Sequence, residues 1–256
     1  MNEWVRRSIE FANGPGYLDR LYEVYPIVTG PKRELSLKTR EMLREVYEKG
    51  DDLTLIRYLL RLPKFPIDDP YVAFLRKKKD AIQHNPETVR RLCRTIRSMG
   101  FDSMIRGIER PKVASKKIGS YFKQWLESIY PKLPQHEFDN YRGIAFLQGS
   151  NGELKEYANR RLHCELKKGI DLLARVGDKY ILGEAKFITD YGGGQKAQFD
   201  NALNFLRQKK GEAIRIAVLD GVVWIRSNTA MYKEVCELEE TALSALLLKD
   251  FLESLK

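Results

Sequence analysis

Three side chains in the stretch "KGIDLLARVGDKYILGEAKF", residues 168–187, could do chemistry together: Asp171, Glu184 and Lys186. Gly177 and Asp178 have the composition of a two-residue hairpin turn between two strand-like runs. Counting back from that turn, Val176 opposes Lys179, Arg175 opposes Tyr180, and Asp171 opposes Glu184. Opposed side chains on one sheet face have Cβ atoms about 4.5–5.5 Å apart, so two carboxylates there repel each other unless a cation lies between them. Lys186 follows Glu184 by two positions, and alternate strand residues leave the same face. The rest of the second strand is mostly apolar on both faces, the mark of a buried strand, and unpaired charge is costly in such a place. A structural ion-pair cluster meets that constraint. A divalent-cation site meets it too and adds chemistry. Mg²⁺ held by carboxylate oxygens would polarise a phosphate and lower the pKa of a water, while the lysine orients or deprotonates that water and stabilises the developing charge. That set suits phosphodiester hydrolysis.

The elements that must carry these residues read as α/β. Ile170–Val176 and Lys179–Ile188 form the hairpin. "GGGQKAQFDNALNFLRQKKG" is a glycine loop entering a helix with Phe199, Ala202, Leu203 and Leu206 on one face, and "IRIAVLDGVVWIRS" reads as two strands around Asp220-Gly221. The strand–helix–strand unit over 179–219 implies a right-handed parallel crossover. The C-terminal "MYKEVCELEETALSALLLKDFLESLK" reads as one long helix or a helix pair. Upstream, "SKKIGSYFKQWLESIYP" predicts a helix on Ile118, Tyr121, Phe122, Trp125, Leu126 and Ile129 that stops at Pro131. "YRGIAFLQGSNGELK" predicts a short strand and a turn, and "LKEYANRRLHCELK" a short helix. The expected organisation is a helical region over 1–110, then an α/β core over 111–256 built on a mixed β-sheet flanked by helices.

Lys and Arg number 45 against 35 Asp and Glu, a net charge of +10, which points to a polyanion and most commonly to nucleic acid; a solvated basic surface is the plain alternative. Arg90, Arg94 and Arg97 share an i, i+4, i+7 stripe that could lie along a phosphate backbone, and "RKKK" at 76–79 adds a charge run that is ordinarily a solvated face. In "YGGGQKAQ", Gln195 and Gln198 can donate and accept as adenine readout requires, and Lys196 could meet a phosphate; otherwise the segment is simply a helix entry. Cys93, Cys164 and Cys236 are scattered, and His84, His136 and His163 stand alone, which argues against a disulfide framework, a structural zinc and a catalytic histidine. No apolar run reaches the roughly 20 residues of a membrane span and no secretory signal opens the chain, so a soluble, intracellular protein is expected.

"GID" followed thirteen residues later by "EAK" resembles the PD-(D/E)xK nuclease motif, with Ile170 where the family has proline. Within that superfamily, "KKIGSYFKQWL" and "KGIDLLARVGDKYILGEAKFITDYGGGQKAQFDNAL" resemble the type II restriction endonucleases, and "FPIDDPYVAFLRKKKDAIQHNPETV" resembles their helical N-terminal portion. The resemblance implies a restriction-endonuclease-like core in which Asp171, Glu184 and the backbone carbonyl of Ala185 ligate Mg²⁺ and Lys186 activates the water. It implies a prokaryotic, cytoplasmic enzyme that cuts double-stranded DNA at specific sequences beside a separate DNA methyltransferase, with the helical region serving recognition or dimerisation. Many members add an acidic residue from the preceding helix; the corresponding place here holds Lys123, and Glu127, one turn on, is the substitute. Two nicks in a duplex need two active sites, which favours a homodimer. A repair or recombination nuclease of the same superfamily and a non-catalytic DNA-binding module are the alternatives; the intact Asp171, Glu184 and Lys186 argue against the second.

Overall fold

The computed structural model describes residues 1–26, 34–78, 80–110, 118–208 and 210–256. They fall into two compact units, Met1–Ile27 with Ala114–Lys256, and Val28–Val113. The division therefore differs from the one expected at 110, because the first two helices belong with the sheet. Helix α1 (Glu3–Ala12) is capped by Asn2, whose side chain accepts from the Trp4 N–H. It is followed by α2 (Tyr17–Val24), and together they bury Val5, Ile9, Tyr17, Leu21 and Val24 in the apolar layer over one face of the sheet. Their amphipathic pattern specifies that they cover a core but not which core.

The second unit is a helical bundle: α3 (Leu37–Glu48), α4 (Asp52–Arg61), α5 (Tyr71–Lys77), α6 (Ala81–His84), α7 (Pro86–Met99) and α8 (Phe101–Glu109). Ser36 and Asp51 cap α3 and α4 through their side chains, and Pro86 opens α7 where its missing N–H costs nothing. Leu43, Leu55, Ile56, Leu59, Leu92, Ile96 and Met104 are fully buried at its centre.

The sheet unit resumes with α9 (Ile118–Ile129), β1 (Lys132–Leu133), α10 (Gln135–Phe138), β2 (Ile144–Leu147), α11 (Asn151–Leu162), β3 (Leu172–Val176), β4 (Lys179–Ile188), α12 (Gly193–Leu206), β5 (Ile214–Gly221), α13 (Ala230–Glu237), β6 (Thr241–Leu243) and α14 (Leu248–Ser254). Among the described residues the strands lie in the order β1-β2-β3-β4-β5-β6. The β2–β3 and β3–β4 pairs are antiparallel, and β1–β2, β4–β5 and β5–β6 are parallel, so the sheet is mixed, as expected. Strand residues alternate between two apolar layers. Leu172, Ala174 and Ile181 join the layer under α1, α2, α9 and α12; Leu173 and Leu182 join the layer with Leu154 and Tyr157 of α11. Phe199, Ala202, Leu203 and Leu206 form the buried face of α12, as the periodicity requires. No helix among the described residues is long and apolar enough to cross a membrane.

Three expectations change. The β3–β4 register follows the count from Gly177-Asp178 for five pairs, Val176↔Lys179 through Leu172↔Gly183, and then ends. Asp171 does not continue it opposite Glu184; its N–H donates to the Gly183 carbonyl and its side chain takes over the next contact. Asp220-Gly221 is not a turn between two strands. β5 runs through both residues and a 3₁₀ turn follows at Val222–Trp224. Gly221 has φ +93° and lies so close to β4 that a Cβ would sit 2.1 Å from the Ile188 carbonyl oxygen, a place that only glycine tolerates. The C-terminal segment is not helix alone: the three residues of β6 add a strand beside β5, too short to show a period of two in the sequence.

Asp220 is completely buried and receives four hydrogen bonds: from Tyr25 Oη (2.8 Å) and the Ala245 N–H (3.3 Å) on Oδ2, and from Ser244 Oγ (2.5 Å) and Tyr17 Oη (3.3 Å) on Oδ1. Burial, then the charge of Asp220, raises the pKa of both tyrosines, which keeps their hydroxyls protonated as donors. Burial also pushes the Asp220 carboxyl up to about 6, against the pull of its donors. A folded-state pKa above the ordinary 3.8 means that the folded chain holds this proton more tightly. The contribution to stability is thus fully present below about pH 4 and is lost as pH rises through about 6. The full loss is on the order of 3 kcal/mol, from about 1.4 kcal/mol per pH unit. Asp220→Asn cannot ionise. Denaturant titrations at pH 4 and pH 7 should show the stability difference between variant and wild type moving in the variant's favour by that order at the higher pH; a difference independent of pH would refute the assignment.

Candidate active site

Asp171 lies at the entry to β3, and Glu184 and Lys186 lie on β4, which is hydrogen-bonded to β3 on one side and β5 on the other. The ladder to β5 continues through Glu184 and Lys186 after the β3 ladder has ended at Gly183, which leaves both side chains little choice of direction, and alternation puts them on one face. All three are partly buried, with side-chain exposures of 18–21%. The Asp171 carboxylate accepts the Ala185 N–H at 2.9 Å on Oδ2 and an N–H of Asn151 at 2.7 Å on Oδ1. Lys186 Nζ reaches Glu184 Oε1 at 2.6 Å, the Ala185 carbonyl oxygen at 3.1 Å and Asp171 Oδ2 at 3.3 Å. Two carboxylates and one carbonyl therefore converge on a single positive atom.

The electrostatics follow from that convergence. Burial, then the neighbouring charge of Asp171, raises the Glu184 pKa, and Lys186 offsets part of the rise. For Lys186 burial works the other way, yet Asp171 and Glu184 together raise its pKa, so the nitrogen is held as ammonium. Two clefts open beside it. One, about 320 Å³, is lined by Tyr25, Ile118, Phe122, Lys186, Gln195 and Gln198. The other, about 240 Å³, is lined by Lys168, Glu184, Lys186, Asn201, Asn204 and Gln208.

The other residues singled out in the sequence divide. Gln195 and Gln198 line the first cleft, and Gln195 Oε1 also accepts the Thr189 N–H at 3.0 Å, fixing the turn after β4. Lys196 faces away into an ion-pair cluster with Asp200 and Glu234, so its charge is already engaged. Glu127 does not join Asp171 and Glu184. It is about half exposed and pairs with Lys132 at 2.7 Å, and no group of three or more His, Cys, Asp or Glu that could hold a metal occurs among the described residues. From α9, Lys123, one turn earlier, reaches toward Asp171 through Asn151, beside Ile118 and Phe122 at the cleft. Asn151 is the residue that sequence reasoning missed. "SNGE" signals a helix start by its Ser-x-x-Glu spacing, but no local signal says that this start abuts Asp171.

The arginine stripe belongs to the helical unit and is not uniform. Arg97 is structural: it donates to Asp52 Oδ1 at 2.8 Å and to the Tyr47 carbonyl at 2.9 Å, tying α7 to α4 and α3. Arg90 pairs with Glu87 within its own helix, and Arg94 is exposed. In the 76–79 run, Arg76 donates to the Leu62 carbonyl at 2.8 Å, and Lys79 lies outside the described residues.

A family model described as the Tsp45I type II restriction enzyme matches residues 2–255. No curated protein and no solved structure matches the chain. The family match spans both units and includes the strand pair that brings Asp171 and Glu184 onto one lysine, and it agrees with the motif read from the sequence: the chain belongs to the Tsp45I family of type II restriction enzymes, DNA-cleaving nucleases of the PD-(D/E)xK type.

Proposed function

We propose that this enzyme is a Mg²⁺-dependent, sequence-specific endonuclease that cuts both strands of duplex DNA at the site built on Asp171, Glu184 and Lys186. The observation that carries the reading is the convergence of Asp171 Oδ2, Glu184 Oε1 and the Ala185 carbonyl oxygen on one cationic atom, in a chain whose family cuts DNA. Hard oxygen donors of this kind suit Mg²⁺, and the Lys186 ammonium stands in for the positive charge that they would hold. When bound there, the metal ion supplies Lewis-acid stabilisation of charge on the scissile phosphate.

The chain's own groups do the rest. Asp171 and Glu184 bind the cation and, by their negative charge, set where the phosphate can approach. With both carboxylates engaged, Lys186 Nζ turns to the attacking water, orients it by hydrogen bonding and adds positive charge beside the phosphate in the transition state. Gln195 and Gln198, on the rim of the cleft beside Lys186, contact the DNA, with amides able both to donate and to accept. The helical unit serves recognition or dimerisation, and the enzyme works as a homodimer because two cuts need two sites. It acts in the cytoplasm of a prokaryotic cell beside a separate DNA methyltransferase.

Single-turnover cleavage of a cognate duplex with Mg²⁺ tests the site. Asp171→Ala and Glu184→Ala should abolish cutting while DNA binding survives, and Lys186→Ala should lower the rate by on the order of 10², as for other lost transition-state contacts. Ca²⁺ in a gel shift should support binding without cleavage. Near wild-type cutting by any of the three variants would sink the assignment.

DNA affinity should fall with salt at a slope of about −0.9 per phosphate contacted. Arg94→Ala should flatten that slope by about one contact and leave the melting temperature unchanged. Arg97→Ala should lower the melting temperature, because its guanidinium is bound into the helical unit. An unchanged slope in Arg94→Ala removes that residue from the DNA surface. Sedimentation with cognate DNA should give a dimer, and a strict monomer would reject that part of the reading.

A further inference from the structure

Asp171 is held on both oxygens. Oδ2 faces the Ala185 N–H and the Lys186 ammonium, and Oδ1 takes the amide N–H of Asn151 at 2.7 Å. The Asn151 side-chain oxygen in turn accepts from the Lys123 ammonium. The amide is therefore oriented from both ends, carbonyl toward a cation and NH₂ toward an anion; the flipped arrangement would set like against like.

The backbone around Asn151 is fixed independently. It opens α11 inside a capping box in which Ser150 Oγ accepts from the Glu153 N–H and the Glu153 carboxylate accepts from the Ser150 N–H. Its carbonyl accepts from the N–H of Ile170, the residue before Asp171, at 3.2 Å. Gly169 passes so close that a Cβ there would lie 2.8 Å from the Asn151 main chain. None of these contacts uses the Asn151 amide group, so the helix start does not require an amide at this position.

We infer that Asn151, oriented by Lys123, is a positioning residue that holds the Asp171 carboxylate in the rotamer presenting Oδ2 to the cation. This rests on the reading of Asp171 as a metal ligand. Hydrogen-bonded partners of ligating groups are typically worth about 10–100-fold in metal affinity. The lysine charge acts through the amide: alone, it would repel a cation, so losing it would tighten binding.

The test is calorimetric titration of the DNA-free protein with Mn²⁺, with thermal melts alongside. Asn151→Ala should weaken Mn²⁺ binding by about 10–100-fold. Asn151→Ser, which suits the same helix start but falls short of both partners, should do the same. Lys123→Met should weaken it by a smaller factor although it removes a positive charge, and should not weaken it further in the Asn151→Ala background, where only the repulsion of the charge is left to lose. Unchanged affinity in a folded Asn151 variant, a lowered melting temperature alone, tighter binding in Lys123→Met, or an equal Lys123→Met effect in both backgrounds would each overturn the inference. Asp171→Ala is the control: if it too leaves Mn²⁺ affinity unchanged, the metal-ligand reading itself has failed.

Discussion

Two carboxylates share a half-buried patch at the mouth of the sheet, and much of the surrounding structure manages the repulsion between them. The two like charges repel, and burial together with the charge of Asp171 raises the Glu184 pKa. Lys186 answers from the same strand, with its ammonium against Glu184 and Asp171 at once. Asn151 and the Ala185 N–H answer from neutral donors, which stabilise the charge on Asp171 without adding a cation that a metal ion would have to displace. Such a patch is expensive in a small core and stable only where the donors are rigid. Here they are rigid because β4 stays paired with β5 through Ala185 and Lys186 and α11 starts in a closed capping box.

Asp220 applies the same physics to another end. It is a fully buried carboxylate on the neighbouring strand, across the ladder from Phe187, and is enclosed by four donors. The contrast lies in access. Glu184 and Lys186 line an open cleft, whereas Asp220 fastens Tyr17, Tyr25 and Ser244 to the sheet. Tyr25 joins the two, because its hydroxyl holds Asp220 while its ring packs edge-on to Phe187 and lines the cleft beside Lys186.

The candidate triad was legible in the sequence because its signal is local. A turn of two residues sets the register, and the period of two sets the face. That logic held for five pairs and failed at the sixth, where the Asp171 N–H bonds the Gly183 carbonyl and its side chain accepts the Ala185 N–H. Long-range facts were not legible. Nothing in "EWVRRSIEFA" tells that α1 covers the sheet, nothing in "LDGVV" tells that a strand passes straight through Asp220-Gly221, and nothing near Asn151 points to a residue twenty positions away. The charge stripe on α7 misled in part because spacing alone cannot separate a solvated arginine from Arg97, which is bound to Asp52 and Tyr47.

The placement of residues 1–27 with the sheet also sets an order of assembly. The Asn2 N–H donates to the Leu238 carbonyl, Ser8 Oγ accepts from the Ser244 N–H, and Arg7 pairs with Asp250. These partners are more than 230 positions apart, so they meet only after residues 238–250 have left the ribosome, at roughly 5–20 residues per second. The helical unit, formed by contiguous chain, has all its contacts available much earlier. The layer that supports the candidate site therefore closes later than the core of the helical unit.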